Sequence, residues 1–167
     1  MTDSLSLQGE LAVEIARALG ATLTPAEAMV AAAKPTQNPQ AYLLYLRARE
    51  IEIANDGSGS LMPAVELYQQ GVDLDPSFAL ARARLSLCAS RLADEGVAGE
   101  WKAKARAEAE EALRLQPRLG EARLALTQYY LWIERDYDRA LAELKSAADL
   151  LPNSPEVPVT AAYIYKR

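Results

Sequence analysis

The chain has 167 residues, half of them hydrophobic and a quarter charged, which suits one compact domain or one short solenoid with a buried core. Its net charge of -5 argues against a phosphate-binding surface, because nucleic-acid affinity comes mostly from clustered Lys and Arg, so DNA and RNA are not expected partners. The chain has no histidine, which excludes imidazole acid–base catalysis and His-metal sites, and its lone cysteine, Cys88, has no intramolecular disulfide partner.

From Leu7, the residues Leu7, Leu11, Ile15 and Leu19 recur at a strict spacing of four, which predicts an amphipathic helix closed by Gly20. Thr24-Pro25-Ala26-Glu27 reads as the capped start of a short Ala-rich helix that Pro35 ends. Residues 1–37 are therefore expected to form a two-helix N-terminal extension or cap. Asn38-Pro39 opens a third helix that runs to about Ala54. Its apolar residues are Tyr42, Leu43, Tyr45, Leu46 and Ile53, and Arg47, Arg49, Glu50 and Glu52 are expected to be solvated. After a turn at Asp56 to Ser60, helices are expected at Leu61 to Leu74, Phe78 to Leu92 and Trp101 to Leu115. Glu121 to Pro152 then reads as two helices around the turn Arg135-Asp136-Tyr137-Asp138, with Asp136 as N-cap of the second. Asn153-Ser154-Pro155-Glu156 looks like a further capped start, and Ala161, Ala162 and Tyr165 follow at first-helix positions.

One pattern recurs through these helices. Ala64, Tyr68, Gly71 and Pro76 share their spacing with Ala105, Ala109, Ala112 and Pro117, and with Ala140, Leu144, Ala147 and Pro152. Ala81, Leu85, Ser86 and Ala89 likewise align with Ala122, Leu126, Thr127 and Tyr130. The pattern resembles the tetratricopeptide repeat, a helix–turn–helix unit of about 34 residues with a proline near its end. The resemblance implies an all-α, right-handed superhelical array of antiparallel helix pairs over 38–167: three repeats ending near Pro76, Pro117 and Pro152, plus the first helix of a fourth. Two features depart from the family. Arg82 and Arg123 stand where it usually has an aromatic residue, and the units are longer than its norm, with the extra residues falling in turns.

In that family the first helix of each pair lines a concave groove. Mapped onto this chain, the groove positions are Leu80, Ala83, Leu87, Ser90 and Arg91 in one unit, Glu121, Leu124, Gln128, Leu131 and Trp132 in the next, and Leu43 in the unit before. The set is mostly apolar, with Arg91 its one basic residue, so it suits a peptide or amphipathic helix better than a chaperone tail's carboxylate. A second resemblance runs through Leu7, Gln8, Glu10, Ile15, Leu19, Leu23, Pro25, Glu27, Pro35, Thr36, Asn38, Ala41, Tyr42, Tyr45, Leu46 and Arg47. These residues are similar to segments of large bacterial regulators in which a winged-helix, cyclase or Ser/Thr kinase module precedes such an array.

Nothing in the chain reads as catalytic machinery. Gly57-Ser58-Gly59 lacks the spacing and the lysine of a phosphate loop, and Glu108, Glu110 and Glu111 beside Lys102, Lys104 and Arg106 read as a solvated helix face. The expectation is thus a non-enzymatic module that needs no metal or cofactor and binds a protein or peptide partner. Alternatives are a structural module forming a homodimer through the open last helix, Val157 to Tyr165, or an accessory domain of an enzyme whose catalytic part lies elsewhere. No apolar run is long enough to span a membrane and no signal peptide is evident, which leaves either side of a membrane open if a span lies upstream. The last unit lacks its second helix, so the chain is expected to be cut from a longer protein or to close by self-association.

Overall fold

The two expected N-terminal helices lie outside the residues that the computed structural model describes, which are 35–55, 59–97 and 99–166. Among the described residues every regular element is a helix. α1 spans Pro39–Ala54, α2 Met62–Leu74, α3 Ala79–Asp94, α4 Trp101–Leu115, α5 Gly120–Tyr129, α6 Tyr137–Leu150 and α7 Glu156–Tyr165. Local chemistry sets the ends. Asn38 accepts hydrogen bonds from the amides of Gln40 and Ala41, with Pro39 at the first helical position, and Asp136 caps α6 by accepting from the amide of Arg139. Pro76, Pro117 and Pro152 each lie just beyond the ends of α2, α4 and α6, where the chain cannot continue as helix.

The helices pack as adjacent pairs, α1 with α2, α3 with α4 and α5 with α6, and α7 closes on α6. The fold is an all-α solenoid, as the repeat pattern predicts. The residues that define the pattern are the inner faces of the second helices: Ala64, Tyr68 and Gly71, then Ala105, Ala109 and Ala112, then Ala140, Leu144 and Ala147 are all buried. Their small size lets paired helices approach closely; a Cβ on Gly71 would sit 3.4 Å from the Ala41 carbonyl oxygen. Cys88 is buried, and burial pushes its thiol well above the usual range, so it serves as core.

The two arginines at the family's aromatic position are explained by their partners. Arg82 on α3 pairs with Glu108 on α4 at 2.6 Å, and Arg123 on α5 pairs with Glu143 on α6 at 3.0 Å, the same register in both units. In the first unit that position keeps an aromatic, Tyr42, which packs with Leu67 against the apolar core. An ion pair thus replaces an aromatic contact twice at one place in the repeat.

Two expectations are corrected. Glu52 and Arg49 on α1 are not solvated: their side chains are 11% and 24% exposed and they form an ion pair. The reason lies across the solenoid, where the buried Arg84 on α3 requires a counter-charge. The helix from Gly120 also does not run straight into its turn. Tyr130–Glu134 forms a π-helical turn that ends with Arg135 in the left-handed region at φ 57. The helix therefore closes on a wider turn, with hydrogen bonds reaching five residues back instead of four.

Candidate functional site

The first helices α1, α3 and α5, with the start of α7, face a concave surface that holds three neighbouring clefts. One, of about 350 Å³, runs from Tyr45 and Arg84 to Glu121, Leu124 and the chain around Pro152. A second, of about 260 Å³, is lined by Arg49, Glu52, Arg84, Leu87, Arg91 and Gln128. The third, of about 640 Å³, extends from Arg91 and Gln128 past Leu131 and Trp132 to Val159 and Tyr163 on α7. Glu156 lines all three.

Seven of the eleven residues expected at the groove line these clefts: Leu87, Arg91, Glu121, Leu124, Gln128, Leu131 and Trp132. The other four do not. Ala83 is fully buried against Ala112 and Ala122, Ser90 is fully buried, Leu80 packs on the core of the first unit, and Leu43 is 56% exposed, about half a turn around α1 from Arg49 and Glu52. The cleft leucines Leu87, Leu124 and Leu131 are themselves only 1–3% exposed, because α3 and α5 press together along them. The first two clefts are therefore polar over an apolar floor, and the third, lined by Leu131, Trp132, Val159 and Tyr163, is mostly apolar. Trp132 is half-buried and meets Tyr163 of α7 edge-on, with ring centroids 5.3 Å apart.

At the centre of the surface stands a charge cluster that the repeat pattern does not announce. Arg84, 5% exposed, donates through Nε and Nη2 to both carboxylate oxygens of Glu52, and through Nη1 to Glu156 at 2.9 and 3.1 Å. Glu52 also accepts from Tyr68 at 2.6 Å and from Arg49 at 3.0 Å. Burial pushes the Glu52 carboxyl up, but the charge of Arg84 and the hydrogen bonds from Arg84 and Tyr68 outweigh it and hold the group below the usual glutamate range. Burial likewise disfavours the charged guanidinium of Arg84, and the carboxylates of Glu52 and Glu156 more than offset it. The Tyr45 phenol beside this cluster is pushed up to about 12, chiefly by burial.

Arg91 differs from Arg84. It is half-buried where the second and third clefts meet, beside Gln128, and has no hydrogen-bond or ion-pair partner among the described residues. Within the cluster the Glu52 carboxylate is saturated by guanidinium and phenol donors. Among the described residues no group of three or more His, Cys, Asp or Glu is placed to hold a metal, and no helix is long and apolar enough to cross a membrane.

No family model matches the chain, and no curated protein matches it. Among solved structures it is similar to one described as the first TPR of Spaghetti (RPAP3) bound to the HSP90 peptide SRMEEVD. The TM-score is 0.58 at 16% identity, over 80% of this chain and 97% of that one. The backbone is thus a tetratricopeptide-like array, in agreement with the repeat spacing.

Proposed function

We propose that the chain is a non-catalytic interaction module that binds an extended segment of another protein along its concave face. The observation that carries this reading is the row of neighbouring clefts in which Arg91, Gln128 and the half-buried Trp132 present polar and aromatic contacts over a floor of buried leucines. Solenoids of helix pairs create such extended surfaces, and the structural neighbour was solved with a peptide bound. Specificity in this reading comes from Arg91, a guanidinium unpaired among the described residues that matches a carboxylate or a run of backbone carbonyls, and from the Trp132 ring. Within the bacterial regulators that the sequence resembles, the module would couple a partner's arrival to a fused signalling domain.

The test is selection of binding peptides from a displayed random library, followed by titration of the winners against variants. Arg91→Glu and Trp132→Ala should each weaken binding at least about tenfold. Leu43→Glu, on the far side of α1, should leave it unchanged. Peptides that bind all three variants equally would place recognition away from the concave face.

A second reading has its own observation. Val159, Tyr163 and Tyr165 of α7 are 55%, 49% and 78% exposed, an apolar patch that a second copy of the chain would cover. Light scattering across a concentration range, on the chain and on Tyr165→Glu, distinguishes it: a dimer that the substitution dissolves would favour this reading.

A further inference from the structure

The Arg84 cluster has a fixed part and a loose part. Glu52 is fixed: its side chain is 11% exposed, it grips Arg84 through two oxygens, and Tyr68 and Arg49 hold it in turn. Glu156 is loose: its side chain is 35% exposed, and among the described residues its carboxylate bonds only to Arg84. The backbone behind it is weakly tied as well. Pro155 and Pro158 flank Glu156 and carry no N–H, and the Glu156 amide reaches only the Ser154 hydroxyl, at 3.3 Å. Farther along, α7 is anchored by Thr160 and Ile164, which are buried. In its first turn Val157 packs against the core, and the Glu156–Arg84 ion pair is the polar tie that lays the turn across the concave face.

Charge makes that position exchangeable. Arg49, Arg84, Glu52 and Glu156 sum to zero; without Glu156 the remaining three carry one positive charge, and Nη1 of a buried guanidinium is left without an acceptor. Beyond the cluster, Arg91 is set against Glu121, Asp94 and Glu95 in the adjoining clefts, so the positive site is local to Arg84 and fits a single carboxylate. We infer that Glu156 is an internal carboxylate occupying a built anion site on Arg84, and that a partner segment with an Asp or Glu side chain enters the groove by displacing it. This inference rests on the concave face being the binding surface. The first turn of α7 is then a latch: closed, it divides the surface into three clefts; released, it joins them.

The test uses the full chain and two readouts. In Glu156→Gln, amide hydrogen exchange over residues 157–162 should speed up about tenfold, the loss expected for one charged hydrogen bond, while exchange in α3 stays unchanged. The probe is an acetylated hexapeptide alternating Leu and Glu, with a Leu and Gln counterpart as control. The acidic probe should bind Glu156→Gln about tenfold more tightly than the parent chain, and the control equally to both. Arg84→Gln should remove the preference for the acidic probe. Because that substitution strands Glu52, Arg84→Lys serves as the milder version and should lower the preference while keeping the fold. Unchanged exchange in Glu156→Gln overturns the latch. Faster exchange with no gain for the acidic probe overturns the displacement. Failure of the concave-face reading shows separately, as selected peptides that ignore Arg91→Glu.

Discussion

The two junctions between successive units are built in opposite ways. Between units two and three, α3 lies directly along α5, and the contact is made of Ala83, Leu87, Ala122, Leu124 and Ala125, all buried. Between units one and two, α1 reaches α3 through long side chains. Tyr45 stacks toward Phe78 and Tyr68, with ring centroids 5.3 and 5.8 Å away, and Glu52 spans the remaining gap to Arg84. Interhelical distance follows the size of the residues in between, so small residues close one junction and aromatic and charged ones hold the other open. The close junction should be sensitive to volume, the open one to charge.

The largest effect is expected from breaking the open junction. Glu52→Ala leaves a nearly buried guanidinium with two donors unsatisfied and removes the acceptor of Tyr68, which should cost about 3–5 kcal/mol in urea unfolding. Replacing Tyr45 by Phe keeps the ring contacts and should change stability little. A Glu52→Ala protein as stable as the parent would mean that Glu156 alone satisfies Arg84, and the junctions would not differ in kind.

At the close junction the corresponding change adds volume. Ala83→Leu inserts a branched side chain where Ala112 and Ala122 leave no space, and about 1–3 kcal/mol of destabilisation is expected. Ala107→Leu, on the exposed face of α4, should be nearly neutral and controls for helix propensity.

Acid should loosen the open junction selectively. The Glu52 carboxyl titrates below its unfolded value, so its stabilisation is fully present above about pH 4.3 and is lost as pH falls through the depressed folded value. Stability followed by circular dichroism from pH 6 down to pH 2 should therefore fall only in the acid range. That fall should be smaller in a Glu52→Gln background.

These two junctions also mark what the sequence discloses. The close one is legible, because Ala and Leu at fixed spacing, punctuated by Pro76, Pro117 and Pro152, dictate which faces meet. The helix ends at Pro39, Ala54, Trp101 and Leu115 follow from the same signals. The open one is not legible, since Glu52 sits in a run of alternating charges on an amphipathic helix and reads as solvated. Only one signal was available for Arg84. It lies on the middle first helix of an array, which has neighbours on several sides, so a charge there has to be buried and paired. The polar character of the first two clefts was missed for a related reason: close packing of α3 on α5 sinks Leu87 and Leu124 below the long polar side chains. The π-turn at Tyr130–Glu134 leaves no mark in the spacing, because it is the last turn of its helix and no apolar positions follow it to fall out of phase.

The smallest effect is the most diagnostic of the repeat itself. Arg82–Glu108 and Arg123–Glu143 occupy the same register in units two and three, each joining a first helix to its own second helix. Their side chains are 14% and 13% exposed in the first pair, and 32% and 22% in the second, so solvent screens the second pair more. Double-mutant cycles to Gln should give couplings of about 1 kcal/mol or less, the first pair exceeding the second and both shrinking in high salt. Replacing Arg82 and Glu108 together by Tyr and Leu rebuilds the arrangement that unit one already has in Tyr42 and Leu67, and should be tolerated with near-parent stability. If that exchange were strongly destabilising, the ion pair would be tuned to its own unit instead of an interchangeable solution to one packing position. The equivalence of the three units would then stop at their backbones.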